Sequence, residues 1–169
     1  MSTVRSGTNA PISSPESPLL SSTEDDDRII EQAFAILERR FFATGPTLTC
    51  PQAVGDYLRL KLISEPNEVF VAVFFNSLHQ VIAFETLFKG TIDTAEVHPR
   101  VVVQRALAHN AAALIVGHLH PSGSTQPSAA DHALTARLKS ALSLMDIRLL
   151  DHIIVGKGPP LSLALKGFL

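Results

Sequence analysis

The sequence predicts a mixed α/β fold in which helices pack against a sheet, and three observations support this. The run at 69–75 is nearly all apolar and rich in Val and Phe, which predicts a strand covered on both faces. A short polar turn separates it from a second predicted strand at 81–88, which is typical of an antiparallel hairpin. A further apolar run at 112–117 has the length of a buried strand. Segments with apolar residues at helical spacing lie before, between and after these runs. Such a succession of elements is typical of a layered α/β domain.

The predicted order of elements is helix, helix, strand, strand, helix, strand, helix, strand. Helices are expected from residue 25 up to Gly45 and Pro46, from Pro51 to the turn at 65–67, from His98 to His109, and over 129–145. Strands are expected at 69–75, 81–88, 112–117 and 147–155. Residues 1–24 are rich in Ser, Thr and Pro, so we expect a disordered tail there, followed by a single domain over 25–169.

The composition describes a globular chain in a reducing compartment. Of the 169 residues, 46% are hydrophobic and 18% are charged, and the formal net charge of −2 argues against non-specific binding of nucleic acid. The single cysteine, Cys50, excludes an internal disulfide and a Cys-rich zinc site. The N-terminal residues lack the apolar core of a signal peptide, and no run of 18 apolar residues occurs. A cytoplasmic location is the resulting expectation.

Two histidines follow the third predicted strand at a spacing that suits a metal ion. Residues two apart in a strand face the same side, so His118 and His120 are expected to project together. Two imidazoles on one face suit a divalent metal, most often zinc. Small residues and proline in the next loop let it fold back, which would bring Asp131 of the following helix towards them. Three protein ligands with a fourth position left for water describe a catalytic zinc site.

The candidate ligands and the polar residues around them also have interpretations that need no metal. An H-x-H pair arises readily by chance in a chain with seven histidines. Ser128 and Asp131 match a capping box, S-x-x-D, which would explain both residues at a helix start. Glu85 is a carboxylate inside an apolar strand, and it is a candidate general base beside the metal. It would instead be a surface carboxylate if its strand lay at a sheet edge.

From Glu85 onward the sequence closely resembles the RadC family, within the wider JAB/MPN group of metallopeptidase-like domains. The JAMM signature of that group is an upstream Glu, then H-x-H, ten residues and Asp. Here 118–120 read His-Leu-His, 121–130 are the ten residues, and Asp131 closes the motif. Motifs similar to RadC in particular are HPSG (120–123), PS (127–128), ETLFKGT (85–91), VHPR (97–100), QRALAHNAAALI (104–115) and LLDHIIVG (149–156). The resemblance covers residues 28–169.

The resemblance implies a JAB/MPN fold, which is cytidine-deaminase-like, with a mixed and largely antiparallel sheet flanked by helices. It implies one Zn²⁺ ion per chain, held by His118, His120 and Asp131. It also implies that Glu85 is the general base and that Ser128 donates to the oxyanion of the tetrahedral intermediate. A helix-capping role for Ser128 stays equally open.

The chain departs from the family pattern at two positions near the motif. The family usually has Asn where this chain has Leu119, whose side chain should point away from the ligands and leave ligation intact. It often has an acidic residue where this chain has Ser124, so the charge at the rim of the site should differ. Longer members carry an N-terminal helix-hairpin-helix region, and this chain is expected to be the short form. Asp151 and His152 are interpreted as structural in preference to supports of the metal site.

The predicted function is a zinc-dependent hydrolase of the JAMM metallopeptidase type that acts on a peptide or isopeptide amide. The expected partner is an unknown protein or peptide substrate; no membrane partner is expected, the charge disfavours nucleic acid, and a homo-oligomer stays open. Two alternatives come from other classes. The chain could be a non-catalytic MPN-type binding or assembly module, or an accessory protein associated with DNA repair. Metal analysis and salt-dependent DNA binding discriminate between them.

Overall fold

The structure, a computed structural model, describes residues 20–42, 51–90 and 97–169. Its helices are α1 (Leu20–Phe42), α2 (Pro51–Leu62), α3 (Pro99–Ala108) and α4 (Ala129–Ser143). Its strands are β1 (Val69–Phe75), β2 (Val81–Lys89), β3 (Ala113–Leu119), β4 (Arg148–Val155) and β5 (Leu161–Ser162). The predicted order of helices and strands is confirmed, and β5 is added after the last predicted strand. A two-residue strand shows no alternation of apolar and polar residues that a sequence pattern could detect.

The five strands form one mixed sheet in the order β2-β1-β3-β4-β5. β1 pairs antiparallel with β2 and with β3, β3 runs parallel to β4, and β4 pairs antiparallel with β5. The sheet is therefore mostly antiparallel and flanked by helices, which confirms the predicted fold class and the predicted hairpin of β1 and β2.

Alternate residues of β1 enter two different cores, one on each face of the sheet. Val69, Val71, Val73 and Phe75 pack with α2, whereas Phe70, Ala72 and Phe74 pack with α3 and α4. All seven residues of the strand are buried. This confirms that the 69–75 run is covered on both faces, as its lack of polar residues predicted.

Gly117 of β3 allows α2 to pack closely against the sheet. A Cβ at this position would lie 2.7 Å from Leu58 Cδ1 of α2 and 3.5 Å from Val71 Cγ2 of β1. The first distance is shorter than non-bonded carbon atoms tolerate, so a larger residue would push α2 away. The next residue, His118, points to the opposite face, towards α3 and α4.

α1 begins earlier than the sequence predicted. The helix starts at Leu20, five residues before the acidic run that indicated its start. The disordered tail expected over residues 1–24 stays a prediction. The macrodipole favours acidic residues throughout the first turns of a helix, so the run at 25–27 did not fix the first helical residue. Residues 1–19, the predicted stop at Gly45 and Pro46, and Cys50 lie outside the described residues.

The described residues group into two units whose boundary falls within α1, between Ala33 and Phe34. In the first unit, the side chains described from Asp25 to Glu31 are exposed. The second unit contains the sheet and α2 to α4. The single domain expected over 25–169 stays a prediction. Within the described ranges, no helix combines the length and apolar composition that crossing a membrane requires.

One end of the sheet collects the segments that carry the candidate site. β3 and β4 are parallel, so both end there, and the antiparallel β1 begins there. α4 also begins near this end, because the 120–128 loop returns the chain after β3. This convergence follows from strand pairings between residues far apart in the sequence.

Candidate metal centre

Three side chains converge at this end of the sheet. His118 Nε2 lies 2.8 Å from His120 Nε2 and 3.2 Å from Asp131 Oδ1, and His120 Nε2 lies 3.5 Å from Asp131 Oδ2. His118 is buried, with 2% of its side chain exposed, whereas 19% of the His120 side chain is exposed. These three residues form a group that could hold a metal ion. Solvent therefore reaches the group from the side of His120.

His118 is held by the strand that carries it. It lies opposite Phe70 of β1, and the His118 and Phe70 rings are stacked with centroids 6.3 Å apart. The intervening Leu119 is buried in the core on the α2 side. The predicted alternation is thus confirmed, and the Leu119 side chain points away from the three side chains as expected.

His120 is held by the loop that follows β3. Its backbone N–H donates to Val155 O at 2.9 Å, and its own carbonyl accepts from Gly123 N at 2.9 Å. Its side-chain Nδ1 donates to Ser124 O at 3.0 Å, because a carbonyl oxygen can only accept. That contact turns Nε2 of His120 towards His118 and Asp131. The backbone of residue 124 therefore orients His120, whatever side chain that residue carries.

The same loop rests on the turn after β4, where Gly156 leaves no room for a side chain. A Cβ at Gly156 would lie 2.5 Å from Gly123 O and 3.0 Å from Ser124 O. Gly123 has a φ of 84°, in the left-handed region that glycine adopts most readily, and its carbonyl accepts from Lys157 N at 2.9 Å. The contact of Gly156 with the loop backbone thus sets the position of the carbonyl that orients His120.

We therefore expect Gly156→Ala to lower zinc affinity about tenfold, the lower end of what loss of a ligand's supporting contact costs. The added methyl group would displace Ser124 O from His120 Nδ1. Gly158→Ala is the matched control, since a Cβ there meets nothing within 4 Å. Competition with a chromophoric chelator measures both affinities. Equal zinc affinities in the two variants would contradict the supporting role of Gly156.

Asp131 is fixed by a capping box at the start of α4. Ser128 Oγ accepts from Asp131 N at 3.1 Å, and Ser128 N and Ser128 Oγ each donate to Asp131 Oδ2 at 2.7 Å. Burial alone would raise the pKa of the Asp131 carboxyl, but its contacts with the rings of His118 and His120 and its hydrogen bonds from Ser128 hold that pKa well below the usual range. The capping interpretation is thus confirmed, and it coexists with the convergence on the histidines.

The donor set fits a divalent cation. Ligand atoms held 2.0–2.1 Å from a tetrahedral zinc lie about 3.3 Å apart, close to the three distances between these side chains. In the neutral ring of His120, the hydrogen bond from Nδ1 leaves Nε2 as an acceptor, and the ionised Asp131 carboxylate is an acceptor as well. Converging acceptors repel one another unless a proton or a metal ion lies between them. Two imidazoles and a carboxylate are a donor set that zinc accepts.

Glu85 does not join this group. It lies on β2, the edge strand of the sheet, and its carboxylate accepts hydrogen bonds from Arg105 and lies 2.7 Å from His109 Nε2. Its hydrogen bonds to Arg105 lower the pKa of Glu85 to about 2, assisted by His109 and opposed by partial burial. Glu85 is thus an ion-paired residue on an edge strand, which fits the surface interpretation that the sequence left open. A carboxylate held by Arg105 is a weak base.

Glu68 is a carboxylate near the site that the sequence analysis overlooked. Phe70 lies opposite His118, and continuing this antiparallel register by two residues places Glu68 across from His120 on the same face. The pKa of His120 is raised chiefly by its hydrogen bond with Asp131, and the negative charge of Glu68 contributes to this rise. Glu68 directly follows a turn and precedes β1, so only the pairing of β1 with β3 could have indicated its place.

Asp151 and His152 have separate roles in the structure. Asp151 Oδ1 accepts from His152 N at 2.7 Å and from Ala164 N at 3.0 Å, and its Oδ2 accepts from Ser162 Oγ at 2.6 Å, so it anchors the C-terminal segment. His152 instead contacts a candidate ligand, with its Nε2 2.8 Å from His118 Nδ1. Burial, with the nearby His118 contributing, lowers the pKa of His152 to about 3 and keeps its ring neutral. The structural interpretation therefore describes Asp151 but is incomplete for His152.

A family model and several curated proteins are similar to this chain over most of its length. Residues 48–168 match the family model described as RadC-like JAB domain. A UPF0758 protein of Azotobacter vinelandii is 56% identical over 142 residues, which cover 82% of this chain and 63% of that protein. UPF0758 proteins of Halorhodospira halophila and Xanthomonas campestris pv. campestris are 58% and 57% identical, covering 74% and 73% of this chain. The chain spans 56% and 55% of the length of these two relatives, respectively.

Proposed function

Because this chain belongs to the family of RadC-like JAB domains, we propose that it is a zinc-dependent hydrolase that cleaves a peptide or isopeptide amide. The observation that carries the proposal is the convergence of His118, His120 and Asp131, with their ligand atoms 2.8–3.5 Å apart at one end of the sheet. Three protein ligands at a partly exposed position favour a catalytic zinc, since structural zinc sites are closed by four protein ligands.

The two histidines would hold the ion through Nε2, and Asp131 would hold it through its carboxylate. When bound, zinc supplies Lewis-acid chemistry, because it polarises a carbonyl oxygen and lowers the pKa of water to about 7. The residues of the chain orient these ligands: Ser124 O fixes the His120 ring, and Ser128 fixes the Asp131 carboxylate. Solvent and substrate would approach from the exposed side of His120.

We assign the general base to Glu68 in preference to Glu85. A general base must reach the proton that it removes, either directly or through one water molecule. Glu68 would lie across from His120 if the β1–β3 register continued two residues past its last pair, and its negative charge contributes to the raised pKa of His120. By contrast, Arg105 and His109 hold the Glu85 carboxylate. Glu68 would take the proton of the attacking water and pass it to the leaving amine.

Ser128 has a narrower role in this proposal than the family resemblance implies. Its hydroxyl proton is donated to Asp131 Oδ2, and its oxygen accepts from Asp131 N. To donate to an oxyanion, this hydroxyl would have to turn away from Asp131. Its role in the present geometry is to hold the ligand carboxylate in place, and an oxyanion contact would follow only after that rotation.

The proposal is tested by adding zinc to the metal-free full chain and measuring cleavage of fluorescence-quenched peptides. The panel should contain linear peptides and branched peptides joined through a lysine ε-amine, because both amide types are included in the proposal. We expect cleavage that requires zinc, stops with a chelator and resumes when zinc is restored. A chain that binds zinc but cleaves no member of the panel would favour the binding or assembly module.

A further inference from the structure

A buried chain of hydrogen bonds connects two of the candidate ligands behind the site. His118 Nδ1 lies 2.8 Å from His152 Nε2, and His152 Nδ1 lies 2.6 Å from Thr135 Oγ1. Thr135 Oγ1 in turn lies 2.6 Å from the backbone carbonyl of Asp131. All four residues are buried. This series of hydrogen bonds therefore begins at the side chain of His118 and ends at the backbone carbonyl of Asp131.

The Asp131 carbonyl at the end of this series determines which atom donates in each of its hydrogen bonds. The Asp131 carbonyl can only accept, so the single hydroxyl proton of Thr135 is donated to it. Thr135 Oγ1 must then accept from His152 Nδ1–H, which leaves His152 Nε2 unprotonated in the neutral ring. His152 Nε2 accepts from His118 Nδ1–H. In the neutral ring of His118, the remaining nitrogen, Nε2, is then the unprotonated one, and it faces His120 and Asp131.

The opposite tautomer of His118 would break this chain. With its proton on Nε2, His118 would present an unprotonated Nδ1 to the unprotonated Nε2 of His152, and both acceptors would be buried without a donor between them. Without His152, however, His118 could donate from Nε2 to the Asp131 carboxylate, 3.2 Å away. That tautomer cannot bind a metal through Nε2. The contact with His152 thus determines whether His118 Nε2 can bind a metal or instead donates a hydrogen bond to Asp131.

Neighbouring residues hold the rings of His118 and His152 in the geometry that their hydrogen bond requires. Phe70 stacks on His118 and contacts the His152 ring edge-on, with centroids 5.9 Å apart. Asp151 accepts from the backbone N–H of His152, which fixes that residue in β4. His152 lies beside Val116 in the parallel pairing of β3 with β4, two residues before His118. The strand register and one aromatic ring therefore position the contact.

We propose that His152 and Thr135 are positioning residues that keep His118 in the tautomer whose Nε2 binds the metal. The inference rests on the proposed zinc site but does not require that the chain hydrolyse any substrate. His152 and Thr135 act through His118 and do not touch the ion. Removing a hydrogen-bond partner of a metal-binding histidine usually lowers metal affinity 10- to 100-fold, and we expect a loss in that range.

The test compares two pairs of variants in the full chain. His152→Leu removes both hydrogen bonds at similar volume, and His152→Gln can still accept from His118 and donate to Thr135. Thr135→Val removes the hydroxyl, and Thr135→Ser retains it. Thermal unfolding of each metal-free variant identifies any that do not fold. If His152→Leu does not fold, the pair Thr135→Val and Thr135→Ser decides the result.

Two measurements separate positioning from a general structural role. Long-range ¹H–¹⁵N correlation spectra of the metal-free chain report the tautomer of His118, and competition with a chromophoric chelator reports zinc affinity. We expect the Nδ1–H tautomer in the wild type, and a shift towards Nε2–H with a 10- to 100-fold loss of affinity in His152→Leu and Thr135→Val. The zinc affinities of His152→Gln and Thr135→Ser should stay within about threefold of the wild-type affinity, a small difference beside the 10- to 100-fold loss.

An Nε2–H tautomer of His118 in the wild type would overturn the inference. So would folded His152→Leu and Thr135→Val variants that keep the wild-type tautomer and zinc affinity. The tautomer is measured without metal, so it tests the inference even if the wild type binds no zinc. Absence of zinc binding by the wild type would overturn the proposed zinc site itself.

Discussion

Replacing Asp131 by Asn is expected to lower the zinc affinity of the chain by more than about 100-fold, beyond the loss seen when only a supporting residue is removed. The substitution keeps the size and shape of the side chain but removes the charge that lies 3.2 Å from His118 Nε2 and 3.5 Å from His120 Nε2. A neutral amide oxygen is a weaker zinc ligand than a carboxylate. Calorimetric titration of the metal-free variant with zinc, compared with the wild type, measures the loss.

Ser128→Ala is the matched control, since it weakens the helix cap and removes one hydrogen bond to Asp131 Oδ2 but leaves the ligand carboxylate itself in the chain. It removes the hydroxyl that accepts from Asp131 N, and we expect it to lower the free energy of unfolding by about 1 kcal/mol. Its zinc affinity should fall by no more than about tenfold, the lower end of the range for supporting residues, because the backbone N–H of residue 128 still donates to Asp131 Oδ2. If the two variants lost the same affinity, Asp131 would be a capping residue and not a ligand.

Replacing Glu68 by Gln is expected to lower the rate of amide cleavage about 100-fold or more while zinc stays bound, since a general base contributes factors of 10²–10⁴. The glutamine keeps the shape of the side chain but cannot take a proton from water. Glu68 is not one of the three converging ligands, so the zinc content should not change. Single-turnover cleavage of a substrate found in the peptide panel measures the rate.

Glu85→Gln is the comparison that separates the two carboxylates. We expect it to keep most of the cleavage activity and to lose about 1 kcal/mol of stability, a small value because 44% of the Arg105 side chain is exposed and solvent screens the pair. Loss of activity in Glu85→Gln with full activity in Glu68→Gln would return the role of base to Glu85, as the family resemblance implies.

The stability effect of Glu85 has a defined pH window. Its pKa in the folded chain is about 2, below the ordinary value of 4.5 for a glutamate, so the pair with Arg105 stabilises the fold above about pH 4.5. That contribution is lost as the pH falls from about 4.5 through about 2. Acid unfolding of Glu85→Gln should therefore depend less on pH in this window than acid unfolding of the wild type.

The sequence predicted the parts of this structure that local patterns determine. The unbroken apolar run of β1 indicated burial on both faces, and the period of two in β3 placed His118 and His120 on one face with Leu119 on the other. The convergence of Asp131 with the histidines depended on the family resemblance, because the S-x-x-D pattern fits a helix cap without a metal.

The parts that were missed depend on contacts between distant residues. Glu85 attracted attention as a carboxylate in an apolar strand, but Arg105 of α3, twenty residues later, holds it. In the sequence, Glu68 looks like the last residue of a turn, and only the pairing of β1 with β3 indicates that it lies near the site. His152 meets His118 only because β3 and β4 run in parallel, a pairing for which the sequence pattern of either strand gives no register.

Anomalous X-ray diffraction at the zinc edge, from crystals of the zinc-loaded full chain, tests the central claim most directly. The account predicts one zinc peak per chain, about 2.0–2.1 Å from Nε2 of His118 and of His120 and about 2.0–2.2 Å from a carboxylate oxygen of Asp131. A folded chain with no zinc peak within bonding distance of these three side chains would contradict it.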